Sequence, residues 1–132
     1  MDERAFFKAV KDGDVAGVRK ALAADPKLAH IRDKEQSTPL HLAAWRGHAG
    51  VIEDLLDAGA EISAHNENFH WGTTPLHAAA HGNRPTAVAA LLARGADVNV
   101  VKADGQGTPL AETRIHNATA AAKLLREAGG VE

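Results

Sequence analysis

Eight of the 132 residues are histidines, and the chain has no cysteine and only two serines, Ser37 and Ser63. Imidazole is the side chain that most readily ligates a transition metal or exchanges a proton near neutral pH. His77 and His81 stand four positions apart in HAAAH, a spacing that puts both on one face of a helix and is used for zinc. The stretch lacks the glutamate of the H-E-x-x-H hydrolases, so the base of that mechanism is missing. A looser set, His65, His70, His81 and His116, offers an alternative site in which neutral nitrogens hold a metal or small molecule, or act as a proton-linked switch. Nucleophilic chemistry has less to work with. There is no thiol, no G-x-S-x-G elbow and no phosphate- or dinucleotide-binding glycine loop. The adjacent carboxylates Glu53 and Asp54 read as part of a solvated helix face. The expectation is a protein that is not an enzyme, with no catalytic residue and no cofactor.

Charge narrows the partner class. Fifteen basic and 17 acidic residues leave a formal net charge of −2. Bulk electrostatics therefore make no case for nucleic acid or an anionic membrane. No stretch approaches the roughly 20 apolar residues of a membrane span, and the charged start MDERAFFKAVKDGD is not a signal peptide. A cytoplasmic location is expected, although the missing cysteines leave the redox compartment open.

The elements that must position these side chains repeat. Thr38-Pro39-Leu40-His41-Leu42-Ala43-Ala44 returns as Thr74-Pro75-Leu76-His77-Ala78-Ala79-Ala80, and again, degraded, as Thr108-Pro109-Leu110-Ala111. A Leu-Leu pair and then a glycine follow each copy. Thr38 to Gly59, Thr74 to Gly95 and Thr108 to Gly129 are each 21 positions. The body of the unit is constant, and only the connections vary. A weaker first copy starts the chain, with Gly13-Asp14 lying 34 positions before Gly47-His48.

Each unit reads as helix, turn, helix and a long connection. Threonine caps the first helix and proline takes its first position, where a missing N–H costs nothing. The alanine pair lets neighbouring helices approach closely. Gly13, Gly47, Asn83 and Asn117 fall where the chain must turn through positive φ, which glycine and asparagine tolerate. The second helix stops at a C′ glycine. No unit buries its apolar side alone, so the units must stack into a solenoid.

"STPLHLAAWRGHAGVIEDLLDAGAEI" and "TTPLHAAAHGNRPTAVAALLARGADVN" closely resemble the ankyrin repeat, and the likeness runs over nearly the whole chain. It implies an all-α ankyrin-repeat solenoid of four helix-turn-helix units with hairpin-like connections. The expected units of this one domain, 1–132, are 1–36 (an N-terminal cap), 37–71, 72–106 and 107–132 (a C-terminal cap). In the first cap Phe6, Phe7 and Val10 form an inward stripe; in the last, Lys123, Arg126 and Glu127 face outward. The resemblance makes Thr38, Pro39, Leu40, His41, Thr74, Pro75, Leu76, His77, Gly47, Asn83 and Asn117 structural, with His41 and His77 bonding the threonine hydroxyl and nearby backbone. His48 is structural by the same likeness.

The same resemblance implies a concave binding face built from first helices and hairpin tips. The positions before the helix-breaking residue commonly touch partners, here Lys11 and Asp12, Trp45 and Arg46, His81 and Gly82, Ile115 and His116. The chain has only two Trp, three Phe and no Tyr. Phe6 and Phe7 belong to the first cap; Trp45, Phe69 and Trp71 map to one side of the middle units. The last two sit in HNENFHWG, where the interval between TPLH copies stretches to 36. Interface hot spots are enriched in tryptophan and arginine. The expected partner-binding set is therefore Trp45, Arg46, Phe69, His70, Trp71, His81 and His116, used to recognise another protein whose identity the sequence does not give. Phe69 and Trp71 could instead fold back to brace the long connection. The histidine site and a scaffold without independent activity stand as alternatives.

Overall fold

The computed structural model describes residues 1–67, 73–115 and 117–132. Among them are eight α-helices and no β-strand. The helices pair as α1 (Glu3–Asp12) with α2 (Val15–Ala24), α3 (Pro39–Arg46) with α4 (Ala49–Asp57), α5 (Pro75–His81) with α6 (Pro85–Ala93), and α7 (Pro109–Ile115) with α8 (Thr119–Glu127). A short 3-10 helix, Pro26–His30, follows the first pair. First helices pack on first helices (α1 on α3, α3 on α5, α5 on α7) and second helices on second helices, giving two layers of a helical solenoid.

The turn chemistry is that of the repeat. Gly13, Gly47, Asn83 and Asn117 have φ of 72°, 80°, 53° and 53°. Gly13 is doubly constrained, because a Cβ there would lie 2.7 Å from the His48 ring. That ring donates from Nε2 to the Lys11 carbonyl at 2.9 Å, so it ties α4's start to the end of α1. The connections turn back on themselves. Asp33 N–H donates to the Ser37 carbonyl, Asn66 N–H to the Thr73 carbonyl, and Lys102 N–H to the Gln106 carbonyl, at 3.0, 3.0 and 3.2 Å.

The core runs the length of the stack between the layers. Leu40, Ala43, Ala44, Val51, Ile52 and Leu55 are fully buried, as are Ala79, Ala80, Val88 and Leu91. Each buried leucine contributes about 1.5–3 kcal/mol. Phe6 and Val10 are buried as expected, but Phe7 is only half-buried, because Ala9 occupies the second inward position of α1. The Glu53-Asp54 expectation needs correcting for Asp54, while the Glu53 side chain stays 42% exposed. Glu53 pairs with Arg94 at 2.6 Å and Asp54 with Arg19 at 3.2 Å, so both bridge neighbouring second helices, and the Asp54 side chain is only 12% exposed.

First helices approach so closely that one glycine has no room for a side chain. Gly82 follows α5 with φ of −79°, which any residue adopts, yet a Cβ there would lie 2.7 Å from the Trp45 carbonyl oxygen. Gly82→Ala is expected to cost about 1–3 kcal/mol through this overlap. Urea denaturation checks it; an unchanged midpoint would mean that α3 and α5 separate at no cost.

Candidate functional site

The TPLH segments build the floor. Thr38 and Thr74 cap α3 and α5 in a box whose fourth residue is histidine rather than glutamate. His41 Nδ1 accepts from the Thr38 N–H at 3.1 Å and lies 2.9 Å from the Thr38 hydroxyl. The proton therefore sits on Nε2, which donates to the Thr73 carbonyl at 2.8 Å. His77 repeats the pattern with Thr74 and donates from Nε2 to the Gly107 carbonyl at 2.8 Å. Each ring thus clamps its own helix start to the connection that follows. Burial lowers both pKa values, His41 to about 4, despite the favourable bond from each ring to a carbonyl.

Asn66 and Thr73 close the base of the long connection. The Asn66 carboxamide oxygen accepts from the Thr73 N–H at 2.9 Å, and its amide donates to the Ser37 hydroxyl at 3.0 Å. On the neighbouring connection Asp33 Oδ1 accepts from the N–H groups of Glu35 and Ser37, both at 2.9 Å. Arg32 spans the two connections, donating to the Gln36 and His65 carbonyls at 2.7 and 2.9 Å.

Above this floor lies a groove of about 320 Å³ between the first helices and the connections. Its walls include Asp33, Glu35, Leu42, Trp45, Ala78, His81 and Glu112. Trp45 is 46% exposed, and the Arg46 guanidinium lies 5.7 Å from the centre of its ring. At the far end Glu112, 4% exposed, pairs with Lys102 at 2.9 Å and His81 at 3.2 Å. Burial alone would raise the Glu112 pKa; the bonds from Lys102 and His81 outweigh it and hold the carboxyl below its ordinary value.

Trp45 and His81 of the expected binding set line this groove, and Arg46 covers part of the Trp45 ring. Phe69, His70, Trp71 and His116 lie outside the described residues. His65 donates from Nε2 to the Val101 carbonyl at 3.0 Å. Of the HAAAH pair, His77 has both ring nitrogens engaged in the cap. Among the described residues no group of three or more histidines or carboxylates could hold a metal. Sequence reading missed Glu112. It stands in the column of Leu42 and Ala78, and a carboxylate in a column of apolar residues is the signal that could have found it.

The family described as "Ankyrin repeats (many copies)" matches residues 55–111, and "Ankyrin repeat" matches residues 35–67. Together they span 35–111, more than half of the chain. Similar curated proteins include the serine/threonine-protein kinase VIK of Arabidopsis thaliana, 43% identical over 79 residues (60% of this chain, 17% of that protein). The probable E3 ubiquitin-protein ligase XBOS31 of Oryza sativa subsp. japonica is 37% identical over 118 residues (89% and 25%). A transient receptor potential cation channel subfamily A member 1 homolog of Caenorhabditis elegans is 33% identical over 97 residues (74% and 8%). The chain spans a quarter or less of the length of each of these relatives.

Proposed function

Because the chain belongs to the ankyrin repeat family, we propose that it recognises a partner protein through the groove between its first helices and connections, with Trp45 as anchor. Ankyrin repeats are in general protein–protein interaction modules and generally non-catalytic. The kinase, ligase and channel names belong to those longer proteins. No helix among the described residues is long and apolar enough to cross a membrane.

The observation that carries the proposal is Trp45, nearly half exposed on a groove wall in a chain with only five aromatic residues. A large indole held in water at the centre of a stack contributes little to folding. Buried against a partner, it contributes far more. The floor beneath it is rigid, since the His41 and His77 clamps and the Asn66–Thr73 closure are all made within the chain, so little ordering cost falls on this side of the complex. Phe69, His70, Trp71 and His116 are proposed to extend the same surface.

Affinity capture from the native host tests this. Wild type is expected to retain a protein that a Trp45→Ala/Trp71→Ala double variant releases, with both proteins equally folded by circular dichroism. Equal capture by the two would remove the tryptophans from the interface.

A further inference from the structure

Resting on that reading, we infer that the groove takes an extended peptide segment of the partner that places an arginine or lysine side chain between the Glu35 carboxylate and the Trp45 ring. Among the described residues, the groove walls carry three carboxylates, Asp33, Glu35 and Glu112, and no lysine or arginine. The three are not equivalent. Glu112 is balanced by Lys102 and His81. Asp33 spends Oδ1 on two backbone N–H groups. Glu35 is exposed, and its carbonyl accepts from the Glu67 N–H at 2.7 Å. The nearby Arg32 turns its guanidinium to backbone carbonyls instead of into the groove. Arg32 and Lys34 lie on the same connection but neither lines the groove, so the charges that face it from the connection end are those of Asp33 and Glu35.

Trp45 supplies the second half of the recognition. An indole face attracts cations, and Arg46 already lies over this ring. Asp12 lies near Arg46; its pKa is held low chiefly by the bond from Lys8 and to a smaller extent by the Arg46 charge. A planar guanidinium satisfies both elements at once, stacking on the indole and bonding a carboxylate through two N–H groups. An acidic segment would meet Glu35 and Asp33 as like charges. A purely apolar one would desolvate those carboxylates without a partner for them.

Phage display of short random peptides against the full chain, counter-selected on Trp45→Ala, tests the inference. Clones that need Trp45 are expected to be enriched in arginine or lysine. Synthetic versions should bind Glu35→Lys about ten-fold more weakly than wild type and weaken with added salt. Both side chains are exposed, and circular dichroism confirms that the variants stay folded. Clones that need Trp45 yet show no basic enrichment, or an acidic one, overturn this inference and leave the groove reading standing. Clones indifferent to Trp45→Ala overturn the groove reading itself, and an empty selection counts against both. Trp45-dependent self-association in sedimentation would make a second copy the occupant, and would also overturn the inference.

Discussion

Between pH 6.5 and pH 4 the protein is expected to lose about 3 kcal/mol of stability through one imidazole, that of His41. Its pKa falls from 6.5 in the unfolded chain to about 4 in the fold, chiefly because burial disfavours the charged ring. The geometry gives the same direction. Nδ1 accepts from the Thr38 N–H, so a proton placed there would face a donor with a donor. A depressed histidine pKa means that the fold holds the neutral ring. The stabilisation is fully present above pH 6.5 and is lost as pH falls, because the unfolded chain takes up the proton first. At about 1.4 kcal/mol per unit, the shift gives the figure above. His77 is lowered for the same first reason and adds to the loss. Carboxylates held low, such as Glu112, begin to contribute only below pH 4.5, so the loss between pH 6.5 and 4.5 belongs to the histidines. Urea denaturation at intervals from pH 7.5 to pH 4 checks it. A flat midpoint across the window would mean that His41 titrates normally and is not clamped.

Replacing the second clamp should be as damaging at constant pH. His77→Ala is expected to cost about 3 kcal/mol or more. The ring is fully buried, so its loss leaves a cavity. It also strands the Thr74 N–H and the Gly107 carbonyl, bonded to the ring at 3.3 and 2.8 Å, and takes one partner from the Thr74 hydroxyl, which keeps only the residue 77 N–H. The last unit indicates how alanine is tolerated at this position. Where Ala111 stands, the Thr108 hydroxyl donates to the Val131 carbonyl near the chain's end instead. The third unit has the Gly107 carbonyl to satisfy and no such substitute. A change under 1 kcal/mol in urea, with the slope unaltered, would show that the clamp is dispensable.

These two residues also mark what a sequence discloses and what it withholds. TPLH, the helix-breaking residues and the fixed 21-position body announced the repeat, because each answers a local demand of backbone or cap. Their φ values and caps follow the reading closely. The groove was less legible. Glu112 and Lys102 are ten positions apart, on a helix and a connection, and nothing local says that they meet. Asp54 reads as a surface carboxylate until Arg19, 35 positions away, is seen to cover it. Phe7 looks like core by type, yet α1 presents Ala9 in its place. Contacts across units depend on how the repeats stack, and spacing within a unit does not encode that.

Trp45 is the side chain whose removal tests the proposed groove most directly. Calorimetric titration of the captured partner against wild type and Trp45→Ala, at matched thermal stability, measures its contribution alone. An affinity loss of more than 1 kcal/mol, about five-fold or greater, is predicted. Identical affinities would contradict the groove as the binding site.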